Sequence, residues 1–264
     1  MKVITSKENK TFKFVKGLLD KKNRENFFII EGIKNVEEAS KAGASFEMLC
    51  FSEDRYEQLA ESLRISALKI GQTVLFDSSL FSKISDTQTP QGVLAVLDKK
   101  EIKPIEKIEP KDVFVVLENL QDPGNMGTII RSCAAAGVKG LVTCGDCVDL
   151  FSPKTVRSSM GGIFHIQYKH FPGSDKAIAF FKENKILTYA LALTEDNTIY
   201  DIHRWEGVAL FIGNESNGLQ KSTVEKCDRS VFIPMPGYSE SLNAAVAASL
   251  AIYETVRYRL GKGR

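Results

Sequence analysis

The sequence predicts an α/β protein with a mainly parallel sheet, arranged as two domains. Short apolar runs alternate with amphipathic stretches along the 264 residues, which is typical of strands alternating with helices. The run Val113–Glu118 is almost entirely apolar, as in a strand buried on both faces of a parallel sheet. A charged segment containing Pro104 and Pro110 interrupts the pattern, as expected of an exposed linker.

The predicted domain boundaries are 1–98 for the first domain, 99–112 for the linker and 113–264 for the second domain. In the first domain the pattern predicts strands at 27–30, 46–51, 73–76 and 92–97, and helices at 33–42, 56–63 and 79–84. In the second it predicts strands at 113–118, 140–143, 186–193, 208–212 and 231–233, and helices at 126–136 and 242–260.

The composition is that of an ordinary soluble globular protein, with 43% hydrophobic and 26% charged residues. The sequence lacks the run of about 18 apolar residues that a membrane span requires, so we expect a cytoplasmic protein. The five cysteines are odd in number and lie mostly in apolar runs, which indicates reduced thiols. The Cys144-x-x-Cys147 pair has no second pair, and the three histidines have no metal spacing, so we predict no metal site.

Positive charge is concentrated at the start of the chain, although the net charge is only +2. Residues 1–24 carry eight lysines and arginines against Glu8 and Asp20. Such a local excess attracts phosphates, so Lys7, Lys10, Lys13 and Arg24 are candidate RNA-binding residues. The alternative is a solvated helix face, which is what most charge runs are.

Ligands of open parallel sheets bind beyond the carboxyl ends of the strands, so the loops there are the first candidates for a functional site. Three of them have an unusual composition. The first loop (residues 122–127) reads DPGNMG, the second loop (213–218) reads GNESNG, and the third loop (234–243) reads PMPGYSESLN.

The first loop runs into a predicted helix that carries Arg131. Asn125 suits the N-cap position of this helix, and helical periodicity places Arg131 beside the buried stripe, where a guanidinium could hold a phosphate oxygen. The alternative is an ordinary exposed arginine. Gly124 and Gly127 do not complete the G-x-G-x-x-G pattern of dinucleotide-binding proteins, which is the main objection to an NAD-dependent oxidoreductase.

The other two loops offer polar side chains beside glycines and prolines. Glu215 follows Gly213 and Asn214 at the end of a predicted buried strand, where it could also be a simple capping acid. Ser241 and Asn243 stand at the start of an Ala-rich helix, where such residues are caps more often than ligands. The convergence of three such loops at one sheet edge favours a binding site.

Together the three loops resemble the three motifs of the SpoU, or TrmH-like, RNA 2′-O-ribose methyltransferases of the SPOUT superfamily. The first matches Asn125-x-Gly127-x-x-x-Arg131; the second begins at Gly213-Asn214-Glu215; the third runs from Ile233-Pro234-Met235 to Ser241-Leu242-Asn243. This similarity covers about residues 113–258. Residues of the first domain, such as Glu31-Gly32 and Thr89-Pro90-Gln91-Gly92, resemble the N-terminal substrate-binding domain that often precedes this catalytic domain.

The resemblance implies a fold that composition alone does not predict. The C-terminal parallel sheet would contain a deep trefoil knot, against the general rule that chains are unknotted. The smaller first domain would be an RNA-binding α/β domain related to kink-turn-binding ribosomal proteins. The family also implies a homodimer, with the last helix at the interface and an active site composed from both subunits.

The resemblance also implies residue roles, with S-adenosylmethionine as methyl donor and no metal. Residues expected to bind the donor are Gly213, Asn214, Glu215, Ile233, Met235, Ser241 and Leu242. Residues expected at the reaction site are Asn125, Arg131, Glu215, Ser241 and Asn243. The front domain favours ribosomal RNA as substrate, with a transfer RNA methyltransferase or a non-catalytic RNA-binding protein on the same fold as alternatives.

Overall fold

The computed structural model describes residues 1–193, 197–202, 207–238 and 240–261. The chain forms two compact units: the first contains residues 1–102 and 149–165, and the second contains residues 103–148 and those from 166 onward. The elements in chain order are β1 (Val3–Ile4), α1 (Lys10–Gly17), β2 (Phe27–Glu31), α2 (Ile33–Lys41), β3 (Phe46–Ser52), α3 (Tyr56–Ser62), β4 (Ile70–Phe76), α4 (Ser78–Ile84), β5 (Val93–Asp98), β6 (Val113–Glu118), α5 (Pro123–Ala136), β7 (Gly140–Cys144), α6 (Pro153–Ser158), β8 (Gln167–Phe171), α7 (Ser174–Glu183), β9 (Leu187–Leu191), β10 (Val208–Ile212), α8 (Lys221–Lys226), β11 (Arg229–Val231) and α9 (Ala244–Leu260).

The first unit is built on a mixed sheet in the order β1-β4-β3-β5-β2. Strand β5 is antiparallel to β2 and β3, whereas β1, β4 and β3 are parallel. Helices α1 and α4 bury Phe12, Val15, Leu80 and Ile84 in one apolar cluster with the sheet. This cluster explains why short, weakly helical segments form stable helices here, since most helical stability in proteins comes from packing.

The segment 149–165, which includes α6, packs with the first unit although it follows β7 in sequence. The ring of Phe151 lies 5.0 Å from that of Phe28, centroid to centroid, and Arg24 forms a 2.9 Å salt bridge with Asp149. The predicted division of the chain into a substrate-binding domain, a linker and a catalytic domain stays a prediction.

The second unit contains a six-stranded sheet in the order β11-β9-β10-β6-β7-β8. Every described strand pair in it is parallel, so the predicted mainly parallel sheet is confirmed. Strands β6 and β10 are buried along their whole length and pair in register, with Leu117 opposite Ile212. Their carboxyl ends therefore place the first and second loops side by side.

The element boundaries differ from the predicted ones mainly near the third loop. The strand predicted at 231–233 is Arg229–Val231, and the helix predicted from 242 begins at Ala244 with Asn243 as its N-cap. Strand β8 and helix α7 were not identified individually from the sequence. The predicted trefoil knot and the relation to kink-turn-binding proteins stay predictions.

Candidate active site

Helix α5 begins immediately at the first loop because Asp122 caps it. The Asp122 carboxylate accepts a hydrogen bond from the backbone N–H of Asn125 at 2.7 Å. Pro123 occupies the first helical position, where a backbone N–H would have no partner within the helix. The prediction that Asn125 caps this helix was therefore wrong, because the cap lies three residues earlier. The consequence is functional: the side chain of Asn125 remains available for other contacts.

The second loop is closed so tightly that only glycine fits at its start. A Cβ atom on Gly213 would lie 2.0 Å from the carbonyl carbon of Gly218, and Gly218 itself has a φ of +65°. Asn214 and Gly218 exchange backbone hydrogen bonds of 3.0 and 2.9 Å. This backbone approach explains the two glycines that frame the loop.

Asn214 connects the second loop to the end of β6. Its side-chain oxygen accepts the N–H of Ser216 at 2.8 Å, and its side-chain nitrogen donates to the carbonyl of Asn119 at 2.8 Å. Asn214 was predicted to bind the donor. In this structure both ends of the side-chain amide are engaged within the protein, so the side chain positions the loop.

Three residues, one from each loop, form a continuous chain of hydrogen bonds. The side-chain nitrogen of Asn243 donates to the side-chain oxygen of Asn125 at 2.9 Å. The side-chain nitrogen of Asn125 donates to the Glu215 carboxylate at 3.0 Å. The loops that the sequence singled out are thus brought together by the residues predicted at the reaction site.

The N-terminus of α9 determines which groups donate and which accept in this series of hydrogen bonds. The side-chain oxygen of Asn243 accepts the N–H groups of Ala245 and Val246 at 2.9 and 3.3 Å. Because an N–H can only be donated, the Asn243 nitrogen must face Asn125, whose oxygen must accept. The Asn125 nitrogen is therefore left to donate to Glu215, so both amide orientations follow from the helix.

Glu215 accepts hydrogen bonds at the start of α5. Its carboxylate accepts the backbone N–H groups of Gln121 and Asp122 at 3.3 and 3.2 Å in addition to the amide of Asn125. Partial burial acts to raise the pKa of Glu215, but these hydrogen bonds outweigh it, so that the pKa lies below its ordinary value of 4.5. Glu215 is accordingly a carboxylate at neutral pH.

A second carboxylate, Glu118, lies buried at the end of β6 and is 3% exposed. It accepts the hydroxyl of Ser174 at the start of α7, the hydroxyl of Thr223 at 2.6 Å and the backbone N–H of Gln220 at 2.7 Å. A buried charge is tolerated only when it is well hydrogen-bonded, and these three donors serve that purpose. Glu118 therefore fixes the chain where it leaves the second loop.

A cavity of about 460 Å³ opens between the second and third loops. Its walls combine apolar side chains of the strand ends, such as Leu191 and Ile212, with loop backbone. It is lined by all seven residues predicted to bind the donor: Gly213, Asn214, Glu215, Ile233, Met235, Ser241 and Leu242. Its volume lies within the range typical of small-molecule sites.

Arg131 is exposed on α5, and its predicted role of holding a phosphate oxygen stays a prediction. Within the part of the chain that the structure describes, its guanidinium forms neither a salt bridge nor a hydrogen bond with another side chain. One turn earlier, Thr128 lines a groove of about 360 Å³ together with Asn125, Asn243 and α9. Arg131 is not among the residues that line either cavity.

The predicted RNA-binding residues fall into two groups within the first unit. Lys7, Lys10 and Lys13 are exposed. Arg24 is only 5% exposed; its guanidinium bonds to Asp149 and donates to the carbonyls of Leu18 and Leu19 at 2.8 and 2.7 Å. The burial of Arg24 argues against the predicted RNA contact, because its donors are already used inside the protein.

Among the described residues, no three His, Cys, Asp or Glu side chains cluster in a way that could hold a metal ion. No helix among the same residues is long and apolar enough to cross a membrane. All five cysteines are free, and burial raises the pKa of the Cys50 and Cys144 thiols to about 12.

Sequence reasoning missed the residues that hold the loops in place. Asp122 could have been identified as the cap, because an acidic residue directly before a proline is a helix-start pattern. Glu118 was read only as the end of an apolar strand. Nothing in the sequence indicated the role of the Asn119 carbonyl, since a backbone contact leaves no residue-type signal.

Comparisons with known families agree with this arrangement. The model of the SpoU rRNA Methylase family matches residues 112–253, and that of the MRM3-like substrate binding domain matches residues 9–95. The 23S rRNA (guanosine(2553)-2′-O)-methyltransferase RlmP of Bacillus subtilis (strain 168) is 35% identical over 259 residues, covering 96% of this chain and 98% of the relative. The 23S rRNA (uridine(2479)-2′-O)-methyltransferase of Streptomyces viridochromogenes is 29% identical, covering 92% and 87%.

Two solved structures have the same fold over nearly the whole chain. The SpoU methyltransferase AviRb from Streptomyces viridochromogenes in complex with the cofactor AdoMet superposes with a TM-score of 0.86 at 27% identity, covering 97% of this chain and 100% of that one. An AdoMet-bound rRNA methyltransferase from Sinorhizobium meliloti gives 0.85 at 29% identity, covering 98% of both. The chain therefore belongs to the SpoU rRNA methylase family, and the prediction of an S-adenosylmethionine-dependent RNA 2′-O-ribose methyltransferase is confirmed.

Proposed function

We propose that this enzyme methylates the ribose 2′-hydroxyl of a single nucleotide in 23S ribosomal RNA. The observation that carries the proposal is the chain of hydrogen bonds from Asn243 through Asn125 to Glu215, which brings the three loops together beside the cavity. Two relatives that align with more than nine-tenths of this chain are named for a guanosine and a uridine position of 23S rRNA. This favours ribosomal RNA over the alternative of transfer RNA.

The cavity suits S-adenosylmethionine in size and in the chemistry of its walls. The apolar side chains of Ile233, Met235 and Leu242 would hold the adenine, and the backbone of Gly213 would approach it closely because no Cβ intervenes. When bound, the cofactor supplies a methyl group activated by its sulfonium. The polar residues Glu215 and Ser241 line the same cavity and would orient it.

The reaction site proper would be formed by Asn125, Glu215, Ser241 and Asn243. The two asparagines are held rigidly by the N-terminus of α9, and a preorganised site avoids reorganisation during the reaction. Glu215 is deprotonated and already accepts three hydrogen bonds, so it suits a positioning role better than that of a general base.

Arg131 would clamp the RNA phosphate and stabilise the alkoxide that develops as the 2′-hydroxyl loses its proton. An exposed guanidinium that has no competing partner among the described residues can form a bidentate contact with phosphate. A guanidinium keeps its proton in proteins and is therefore a reluctant proton acceptor, so electrostatic stabilisation is the better assignment than proton abstraction.

The exposed apolar side chains of α9 favour a homodimer. Helix α9 exposes an apolar row, Val246, Leu250 and Tyr253, whose members are 43 to 49% exposed. Such a contiguous patch on a soluble protein marks an interaction surface. The row borders the groove that contains Asn125, so a partner subunit seated there would complete the reaction site.

This interface is tested by Val246→Glu, which should convert the dimer to a monomer in sedimentation velocity. An unchanged sedimentation coefficient would exclude this interface.

A cytoplasmic location remains part of this proposal, and the resemblance to bacterial-type rRNA methyltransferases supports it.

The proposal is tested by incubating the enzyme and methyl-labelled S-adenosylmethionine with transcripts of 23S rRNA and with unmodified transfer RNA. We expect label in one 2′-O-methylated nucleoside of the 23S transcript, identified by mass spectrometry after digestion. Label in transfer RNA alone would establish the alternative substrate. Label on a base, or binding of RNA without any transfer, would refute ribose methylation.

A further inference from the structure

The cavity between the second and third loops has an acidic wall. Two of the residues that line it, Glu215 and Glu240, carry a carboxylate. Among the described residues that line it, none is a lysine, an arginine or a histidine. Negative charge in the wall is therefore not balanced by positive charge, and a cleft lined by one sign of charge concentrates its electric field. Such a cavity favours a ligand with a cationic group.

The two carboxylates differ in the acceptors that they leave unused. The carboxylate of Glu215 accepts hydrogen bonds from the backbone of Gln121 and Asp122 and from the side chain of Asn125. Glu240 is exposed and forms neither a hydrogen bond nor a salt bridge with any described residue. A carboxylate offers about four lone-pair sites on its two oxygens. Glu240 is thus the carboxylate whose acceptors are available to a ligand.

The place of Glu240 in the third loop keeps it beside other cavity residues. Ser241 and Leu242 follow it directly and line the same cavity. Asn243 comes next and is fixed as the N-cap of α9, where its side chain accepts two backbone N–H groups. The end of the third loop is therefore anchored to a helix, and Glu240 is attached close to that anchor.

The methionine moiety of S-adenosylmethionine needs a partner that the apolar wall does not offer. It carries a sulfonium and an α-ammonium group against a single carboxylate. The side chains of Ile233, Met235 and Leu242 suit the adenine but cannot accept a hydrogen bond from an ammonium. A charged group that leaves water without a partner is costly, whereas an ammonium paired with a carboxylate forms one of the strong hydrogen bonds.

We propose that Glu240 binds the α-ammonium group of the cofactor's methionine moiety. This inference rests on the proposed function, since it assumes that the cofactor occupies this cavity. It adds a residue to the donor-binding set, because the resemblance of the three loops assigned roles to Ser241 and Leu242 but not to Glu240. The two carboxylates then have separate tasks: Glu215 joins the loops, and Glu240 holds the ligand.

The test is calorimetric titration at neutral pH, without RNA, of the wild type, Glu240→Gln and Glu183→Gln. One ligand is S-adenosylhomocysteine, whose only cationic group is the ammonium because it lacks the sulfonium. The other is its analogue with hydrogen in place of the α-amino group. Glu240→Gln should raise the Kd for S-adenosylhomocysteine by about tenfold, because a charge-assisted hydrogen bond is lost. It should bind the analogue as the wild type does, since the analogue has no ammonium.

The control Glu183→Gln removes an exposed carboxylate at the end of α7 and should bind both ligands like the wild type. The melting temperature of Glu240→Gln should not change, because the side chain is exposed in a loop. An unchanged Kd for S-adenosylhomocysteine in Glu240→Gln would overturn the inference and leave the cofactor site standing. An equal loss of affinity for both ligands would also overturn it, because Glu240 would then act on the loop. A wild type that binds neither ligand would refute both the inference and the cofactor site.

Discussion

The side-chain amide of Asn243 donates to the side-chain oxygen of Asn125 over 2.9 Å, across 118 positions of sequence. One partner is the N-cap of the last helix, and the other lies in the first turn of α5. Because Asn125 passes its remaining donor to Glu215, this bond joins all three loops. The geometry of the reaction site therefore depends on all three loops.

Replacing Asn125 by alanine should interrupt this chain while leaving the helix intact. Asp122, not Asn125, caps α5, so the fold should be retained. Glu215 loses a donor and Asn243 an acceptor, and misplacement of reacting groups by about 1 Å can lower a rate roughly 100-fold. We expect kcat to fall by about that factor, measured by single-turnover methyl transfer.

A suitable control for this variant is Asn184→Ala at the end of α7, which removes a side-chain amide that donates to the carbonyl of Phe180 at 2.8 Å. It should leave kcat unchanged. Equal rates for Asn125→Ala and the wild type would show that the chain of hydrogen bonds has no part in the reaction.

Arg131→Lys should lower kcat by about 100-fold, because an ammonium cannot replace a bidentate guanidinium at a phosphate and a developing alkoxide. The melting temperature should not change, since the side chain is exposed and has no partner to lose in the described structure. Both quantities can be measured on the same preparation. A variant with wild-type kcat would eliminate both the clamp and the proton-abstraction role.

Glu118→Gln should weaken cofactor binding without affecting RNA binding. The carboxylate holds Gln220 and Thr223 just beyond the second loop, and a hydrogen bond to a charged group contributes about 1.5 kcal/mol or more. We expect the Kd for S-adenosylhomocysteine to rise by about tenfold.

The exposed Glu183→Gln, at the end of α7, provides a matched change of charge and should bind the cofactor normally. If Glu118→Gln raised the Kd for RNA as much as that for the cofactor, the effect would be general instability of the protein. A specific role in holding the second loop would then be untenable.

Arg24→Met should destabilise the first unit. The substitution leaves Asp149 in a mostly buried position without its cation, and breaking a buried ion pair in this way costs about 3 kcal/mol. Urea unfolding should show the loss. Lys41→Met breaks the exposed pair with Glu38 and should leave the urea midpoint close to that of the wild type, because exposed ion pairs contribute little to stability. Similar values for the two variants would mean that the Arg24–Asp149 pair contributes no more than a surface pair.

The sequence predicted the parts of this protein that repeat a local pattern. The buried strands Val113–Glu118 and Val208–Ile212 were located to the residue, because continuous apolar runs are strong signals. The three loops were identified because glycine, proline and polar residues at strand ends are equally local. Their meeting point is confirmed by the hydrogen bonds from Asn243 to Glu215.

Contacts between residues that are far apart in the sequence could not be predicted from it. The burial of Arg24 depends on Asp149, 125 positions away, and the packing of residues 149–165 with the first unit follows from contacts that no local pattern encodes. The cap of α5 was misplaced because both Asp122 and Asn125 are good capping residues, and only geometry decides between them.

The claim that the loops form the cofactor site is tested most directly by calorimetric titration with S-adenosylhomocysteine. The wild type should bind one molecule per chain. Gly213→Ala should abolish binding, because its Cβ would lie 2.0 Å from Gly218, whereas Gly237→Ala, in the third loop with open space around its Cβ position, should bind normally. Undiminished binding by Gly213→Ala, or no binding by the wild type, would contradict the account.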